Sequence, residues 1–196
     1  IDPSEALLSV RNSRERAAEA RSVRNVLSPW SVAVIGASTD SSKVGNAVLA
    51  NLLAAGFTGP VYPVNADNRS VRGVRAYRTV SDIPDPVDLA IAAVPADSID
   101  GVLDDCLDKG VKALVVVSGG FAETGAEGQE KERRLVHAAR AHGMRLVGPN
   151  ALGVANTDPA FALNATLAPH LPMPGHVGFF CQSGALGIAI LDQAAK

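Results

Sequence analysis

The sequence predicts an α/β protein: a Rossmann-like doubly wound parallel sheet, followed by the truncated start of a second α/β domain. Three observations predict it. Short apolar runs of strand length alternate with stretches of helical period, the pattern of βαβ units connected right-handed into a parallel sheet. Two of the runs, Leu89–Val94 and Val111–Val117, are almost continuously apolar, as strands covered on both faces must be. The stretch Ser31–Gly45 reads as a strand, a tight loop of small and hydroxylated residues, and a helix start. Such a helix end turns unpaired N–H groups and partial positive charge toward the loop, which suits an anion. A phosphorylated ligand, a nucleotide in the first instance, is expected there.

The elements follow in order. Residues 1–28 predict a linker helix. Arg11, Arg14, Arg16, Arg21 and Arg24 are nearly balanced there by Asp2, Glu5, Glu15 and Glu19, so the segment is a solvated helix and not a polybasic arm. Pro29 closes it, and residues 29–154 form the nucleotide-type domain. Ser31–Ile35 is its first strand. Val44, Ala47, Val48, Leu52 and Ala55 make the apolar stripe of the first helix, which Gly56 ends in a left-handed cap. Val61–Val64 is a short second strand, and Asn65–Tyr77 reads as loop with at most one short strand. After the turn Asp82–Pro86 comes the buried-type strand Leu89–Val94, with Pro95 placed to begin a helix. Ile99, Val102, Leu103, Cys106 and Leu107 form the next stripe, ended by Gly110. Val111–Val117, a helix over Glu127–His142 and the strand Arg145–Val147 complete the pattern. Acidic residues early and arginines late in that last helix complement its dipole. Residues 155–196 are expected to hold a proline-rich loop, 155–175, then a strand Val177–Cys181 and a helix opened by Gln182-Ser183-Gly184. Together they read as a connecting segment and the first βα unit of a second, flavodoxin-like domain. A chain that starts at Ile1 and stops at Lys196 inside a helical pattern is expected to be a piece of something longer.

Composition sets limits. A hydrophobic share of 47% supports a proper core. A net charge of −2 gathers neither nucleic acid nor a membrane surface, and aromatics at 4% supply no stacking platform. No apolar run approaches the roughly 20 residues that span a bilayer. Cys106 and Cys181 form neither a disulfide framework nor a metal spacing, so a cytoplasmic location and no metal are expected.

Ligands of open parallel sheets bind outside the carboxyl ends of the strands. Those ends are Gly36-Ala37-Ser38, Val64-Asn65, Val94-Pro95, Ser118-Gly119-Gly120 and Gly148-Pro149-Asn150. None is a strong acid or base, which predicts a binding crevice with no catalytic residue. A nicotinamide dinucleotide is the default candidate for such a fold. Two features oppose it: the loop lacks the second glycine of Gly-x-Gly-x-x-Gly, and Val64-Asn65 stands where a ribose-binding acid should close the second strand.

Six motifs then occur in register: Val-Ile-Gly-Ala-Ser (34–38) with Lys43-Val44-Gly45; Val-Tyr-Pro-Val-Asn (61–65); Asp-Leu-Ala-Ile-Ala-Ala-Val-Pro-Ala (88–96); Ser-Gly-Gly-Phe-Ala-Glu (118–123); Gly-Pro-Asn-Ala-Leu-Gly (148–153); and Gly-Phe-Phe-Cys-Gln-Ser-Gly-Ala-Leu (178–186). Over residues 31–196 the chain resembles the CoA-binding domain of NDP-forming acyl-CoA synthetases, the succinyl-CoA synthetase α-subunit-like family. The head Ile1-Asp2-Pro3-Ser4-Glu5 with its Arg-rich helix resembles the junction of bacterial fusions to a GNAT acetyltransferase domain.

The resemblance implies roles. Gly36, Ala37, Ser38 and Lys43 would hold CoA phosphates. Val64 and Asn65 would flank the adenosine, Val94 and Pro95 would line the pantetheine path, and Ser118, Gly119 and Gly120 would border the same crevice. Asn150 would lie near the thiol end. Ser183 and Gly184 would steady the phosphate of a phosphohistidine that the family carries downstream. The reaction implied joins an acid to CoA through an acyl phosphate at the expense of a nucleoside triphosphate, with this piece binding CoA or acyl-CoA and catalysing nothing alone. Its partners would be downstream synthetase domains or a β-type subunit, and an upstream GNAT domain. One departure stands out: the family often has Pro-Lys after Val-Asn, and this chain has Ala66-Asp67, so a basic contact is lost or moves to Arg69 or Arg72.

Plainer readings accompany these. Ser38 and Lys43 also suit helix capping and surface, and Asn150 also suits a turn. Cys106 and Cys181 suit packing, and His137, His142, His170 and His176 fall in no motif. Ser183 lacks the Gly-x-Ser-x-Gly of a nucleophile elbow and suits an N-cap. Two other functions stay open: a non-catalytic CoA-sensing module of a protein acetyltransferase, and an NAD(P)-binding oxidoreductase fragment.

Overall fold

The computed structural model describes residues 5–195. The head Ile1-Asp2-Pro3-Ser4, which carries part of the acetyltransferase-junction resemblance, lies outside the described residues. Five parallel strands form the sheet: β1 Val32–Ile35, β2 Val61–Val64, β5 Leu89–Ala92, β6 Ala113–Val116 and β7 Arg145–Val147. Between β2 and β5 a tight hairpin pairs β3 Ser70–Val71 with β4 Val74–Arg75, where the sequence suggested loop with at most one short strand. The helices are α1 Glu5–Leu27, α2 Val44–Ala55, α3 Ile99–Lys109, α4 Ala126–Ala141 and α5 Gly184–Ala194.

The sheet runs β2-β1-β5-β6-β7, with Val32 opposite Val61 on one side and Leu89 on the other. The winding therefore reverses between β1 and β5, and this switch point is where an open sheet leaves a crevice. Alternate residues of each strand serve opposite faces. Ala33, Ile35, Ala90, Ala92, Leu114 and Val116 pack on one face with Leu103 and Cys106 of α3 and Leu135 of α4. Val32, Val34, Leu89, Ile91, Ala113 and Val115 pack on the other with Val48, Leu49 and Leu52 of α2 and Val26 of α1. Full burial of a leucine such as Leu49 or Leu52 contributes about 2 kcal/mol. Gly56 and Gly110 end α2 and α3 in left-handed caps, as their positions in the sequence predict. Pro95 begins a short 3₁₀ turn, Ala96–Ser98, that leads into α3.

Of the helix expected over residues 1–28, Glu5–Leu27 is helical, and its carboxyl end is docked on the sheet. Val26 is buried, Arg145 of β7 donates to Ser22 and Glu19, and Asn156 donates its amide to the Leu27 carbonyl at 2.8 Å.

Two expectations for the last stretch need correction. The segment 155–175 is not all loop: β8 Gly153–Asn156 and β9 Leu163–Thr166 form an antiparallel hairpin. Leu163 and Ala165 enter the α2 face of the core. Asn164 and Thr166 are buried as well, and their polar groups bond each other and the Ala168 carbonyl. Residues Val177–Cys181 do not form a strand; Val177 and Phe180 are 91% and 86% exposed, and among the described residues no strand pairs with them. The helix after them forms as expected.

Candidate functional site

The carboxyl ends of β1, β2, β5, β6 and β7 meet at one end of the sheet, and the loops there are tied strand to strand. Gly36 donates to the Val64 carbonyl at 3.0 Å, Ala93 to Ile35 at 2.8 Å, Val117 to Ala92 at 3.1 Å and Asn150 to Ser118 at 3.0 Å. Gly36 has φ +82°, and a Cβ there would lie 2.4 Å from the Ala93 carbonyl oxygen. The loop can therefore lie flat against the end of β5 only with glycine at this position.

The helix start is pressed against that loop. A Cβ on Gly45 would meet the Gly36 carbonyl oxygen at 2.0 Å. Lys43 occupies the N-cap position, but neither it nor Ser38 caps α2 through a side chain, and the first turn holds no acid. Ser38 instead accepts the Asp40 N–H through its hydroxyl at 3.1 Å. The positive end of a twelve-residue helix is thus left uncapped beside a loop of small residues, with the exposed Lys43 at its mouth.

Asparagines hold this arrangement. Asn65, at the end of β2, donates to the Ala37 carbonyl at 2.7 Å and accepts the N–H groups of Asp67 and Asn68 at 2.9 and 2.8 Å. Asn46, 3% exposed, donates to the Ser38 carbonyl at 2.7 Å and accepts the Arg72 guanidinium at 2.7 and 3.1 Å. Asp40 adds a negative charge to the loop. Hydrogen bonds from the Ser42 hydroxyl and N–H hold its carboxyl below the usual carboxylate range.

Across the crevice, Val94 and Pro95 leave the end of β5, half-buried and exposed. Ser118, Gly119 and Gly120 leave β6. The Gly120 N–H is taken by the Glu123 carboxylate at 2.5 Å, a bond that holds the pKa of Glu123 below the ordinary carboxyl value. Asn150 has φ +54°, and its side-chain oxygen lies 3.7 Å from the position a Gly119 Cβ would take. Ser183 caps α5 by accepting the Leu186 N–H at 3.3 Å, with Gly184 the first helical residue. A Cβ on Gly187, one turn further, would touch Leu152, so α5 packs against the Gly148–Gly153 loop.

The structure therefore places Gly36, Ala37, Ser38, Lys43, Val64, Asn65, Val94, Pro95, Ser118, Gly119, Gly120 and Asn150 at or just beyond the carboxyl ends of the strands, on one edge of the sheet. Sequence reasoning passed over Asn46, Asp40 and Glu123. Asn46 lies on the apolar side of α2, and its polarity inside that stripe is the signal that could have found it. A shallow cleft at the opposite end of the sheet, lined by Trp30, Pro60, Tyr62 and Pro86, is a poorer site. Its polar groups are already spent: Tyr62 donates to Asp85, Ser31 to the Pro86 carbonyl, and Asp88 takes Lys112 and the Trp30 N–H. Among the described residues no three His, Cys, Asp or Glu side chains lie close enough to hold a metal, and no helix is long and apolar enough to cross a membrane.

Comparison with known proteins bears on the ligand. The family model described as "CoA binding domain" matches residues 30–157. The α subunit of ADP-forming acetate–CoA ligase I of Pyrococcus furiosus is 45% identical over 174 residues, which are 87% of this chain and 37% of the relative. ADP-forming acetate–CoA ligase II of Archaeoglobus fulgidus is 42% identical over 167 residues, 85% of this chain and 25% of the relative. Among solved structures, the dinucleotide-forming acetyl-coenzyme A synthetase 1 of Ca. Korarchaeum cryptofilum, in complex with phosphate and ADP, superposes with a TM-score of 0.81 at 45% identity. That match covers 88% of this chain and 36% of the synthetase. The chain thus spans well under half the length of these relatives, and over most of its own length it belongs to the CoA-binding domain family.

Proposed function

We propose that this domain holds CoA across the carboxyl ends of its strands as the CoA-binding part of an NDP-forming acyl-CoA synthetase. The observation that carries the reading is the uncapped α2 terminus pressed against Gly36–Ser38 at the switch point, in a chain of the CoA-binding family. The Gly36, Ala37 and Ser38 backbone and the first turn of α2 take the diphosphate, with Lys43 supplying charge. Val64 and Asn65 flank the adenosine. The amide of Asn65 is committed to Ala37, so its part is to brace the loop. Val94 and Pro95 line the pantetheine arm, Ser118–Gly120 form the facing wall, and Asn150 stands at the thiol end. CoA supplies the thiol that accepts the acyl group; this chain binds and orients it. In the whole enzyme, Ser183 and Gly184 would present the start of α5 to the phosphate of a phosphohistidine.

The relatives named as acetate–CoA ligases support the synthetase reading. So does α5, an apolar helix on which Leu186, Ile188 and Ile190 are exposed, as suits a surface covered by further synthetase domains or a β-type subunit. An acetyltransferase neighbour upstream rests on the Arg-rich head alone. A cytoplasmic location suits two unbonded cysteines. No observation favours the nicotinamide alternative, because β2 ends in an amide already bonded within the loop.

Calorimetry on the 196-residue chain tests the reading. Saturable heat with CoA, and weaker binding of NAD and NADP in competition, are expected. No binding at millimolar CoA, or tighter binding of a nicotinamide nucleotide, overturns it.

A further inference from the structure

We propose that Arg72 is the side chain of this domain that receives a phosphate of CoA, carried to the phosphate loop by Asn46. The inference rests on the CoA reading and assigns a contact within it.

Three observations converge. The first is the backbone. Arg72 and Gly73 form the two-residue link between β3 and β4, with φ of +51° and +79°. Two positive φ values define a turn that favours asparagine, aspartate or glycine at its first position. An arginine there sits in a conformation that side chains rarely adopt, at a place where asparagine would fold more easily.

The second is the anchor. The guanidinium gives its Nε–H and an Nη2–H to one oxygen of Asn46, a buried residue in the first turn of α2 that also holds the Ser38 carbonyl. The acceptor is a neutral amide, and among the described residues Arg72 has no carboxylate partner. Its charge is therefore not cancelled, and most of its five N–H donors remain for the planar, bidentate contacts that guanidinium makes with phosphate.

The third is the local charge. Asp40, held ionised by Ser42, offsets Lys43 on the loop, and Asp67 places another carboxylate just beyond β2. Without Arg72 the loop would offer a dianionic ligand no net positive charge. Arg75 is drawn aside over the Tyr77 ring, 5.3 Å from its centre, and Arg69 has no side-chain partner among the described residues to direct it. The choice between Arg69 and Arg72 that the sequence left open is resolved for Arg72 by its tether.

Calorimetry with CoA and dephospho-CoA at low and high salt, on the full chain and two variants, tests this. Arg72→Asn relieves the turn but removes the two donors that buried Asn46 accepts, so the opposing effects should leave its melting temperature within a few degrees of the unsubstituted chain, while CoA binds about ten-fold or more weakly. Arg72→Lys should recover part of that loss. The loss should shrink as salt rises. A loss confined to CoA assigns the contact to the 3′-phosphate; an equal loss with dephospho-CoA assigns it to the diphosphate, and both support the proposal. Unchanged CoA affinity in Arg72→Asn, or a loss that salt does not alter, overturns it. If the unsubstituted chain binds no CoA, the CoA reading itself has failed, an outcome distinct from a failure of Arg72 alone.

Discussion

Alanine at two helical glycines should move stability in opposite directions, and the difference tests whether the start of α2 positions the loop. Gly45 is buried, and a Cβ there would lie 2.0 Å from the Gly36 oxygen, 2.7 Å from its carbonyl carbon and 3.1 Å from the Ala37 nitrogen. All three are backbone atoms. Non-bonded heavy atoms settle at about 3.5–4.0 Å, so the helix and the loop must separate by roughly 1 Å or more. Helix propensity returns at most about 1 kcal/mol, whereas overpacking costs about 1–3 kcal/mol, and rigid backbone puts this case in the upper part of that range. Gly45→Ala should therefore lose about 1–2 kcal/mol net. Gly101, in α3, has nothing within 4 Å of its Cβ position, and alanine there should gain about 0.5–1 kcal/mol. In a chain of this size each kcal/mol is about 2–4 °C of melting temperature. Thermal unfolding should thus show Gly45→Ala lower by about 2–8 °C and Gly101→Ala higher by about 1–4 °C. The displaced loop should also weaken CoA about ten-fold in calorimetry, while Gly101→Ala leaves it unchanged. If Gly45→Ala melts at or above the unsubstituted chain, or loses stability yet keeps its CoA affinity, the proposed coupling of helix start to site is wrong.

Three further predictions follow from particular contacts. Asn65→Ala leaves the Ala37 carbonyl and the N–H groups of Asp67 and Asn68 without their partner; denaturant unfolding should show a loss of about 1–3 kcal/mol, with weaker CoA binding alongside. Burial pushes the Cys106 thiol up from 9.0 to about 12, and burial with the Asp85 bond pushes the Tyr62 phenol from 10.0 to about 12. Both groups hold their protons more tightly when folded, so their contribution is complete below pH 9 and is lost as pH climbs from there toward 12; urea midpoints should fall across that window, and a thiol reagent near neutral pH should modify Cys181 in the native chain but Cys106 only after unfolding. Ser183→Ala removes the cap of α5 and should cost that helix about 1 kcal/mol, read as faster amide exchange in residues 184–194 with exchange in β1 and β5 unchanged.

The sheet was legible because its signal is local. Continuous apolar runs such as Leu89–Ala92 and Ala113–Val116 can be buried on both faces only in a parallel sheet, and Gly56 and Gly110 mark helix ends by backbone freedom alone. The hairpin β8–β9 was hidden because Asn164 and Thr166 look like loop residues. They are buried only because the Ala168 carbonyl and each other satisfy them, a closure visible in space and not in spacing. Val177–Cys181 has strand composition but no strand beside it among the described residues, and composition cannot supply a hydrogen-bonding partner. At the site, the strand-end residues could be listed from the pattern of small residues and prolines. The turn that delivers Arg72 could not, since its two positive φ values contradict the preference of arginine.

The bracing amides explain how a crevice without acids or bases at its strand ends keeps its shape. Asn65 joins the end of β2 to Ala37, and Asn46 joins α2 to Ser38 and to the β3–β4 turn. Each spans two loops that are separate in sequence, so three segments become one rigid wall. A carboxylate in either place could accept but not donate, and would add charge against a phosphate. A lysine could donate but not accept, and would leave the Asp67 and Asn68 N–H groups unpaired. An amide does both, with its donor and acceptor on separate atoms, while staying neutral at every pH at which the fold persists. The wall therefore keeps its geometry whatever the protonation of its surroundings, and the charge that a phosphate meets is set separately by Asp40, Lys43 and Arg72 at the rim. Geometry and charge reside on different residues, so substitutions at the rim should tune affinity and its salt dependence, whereas substitutions in the wall should lose the site.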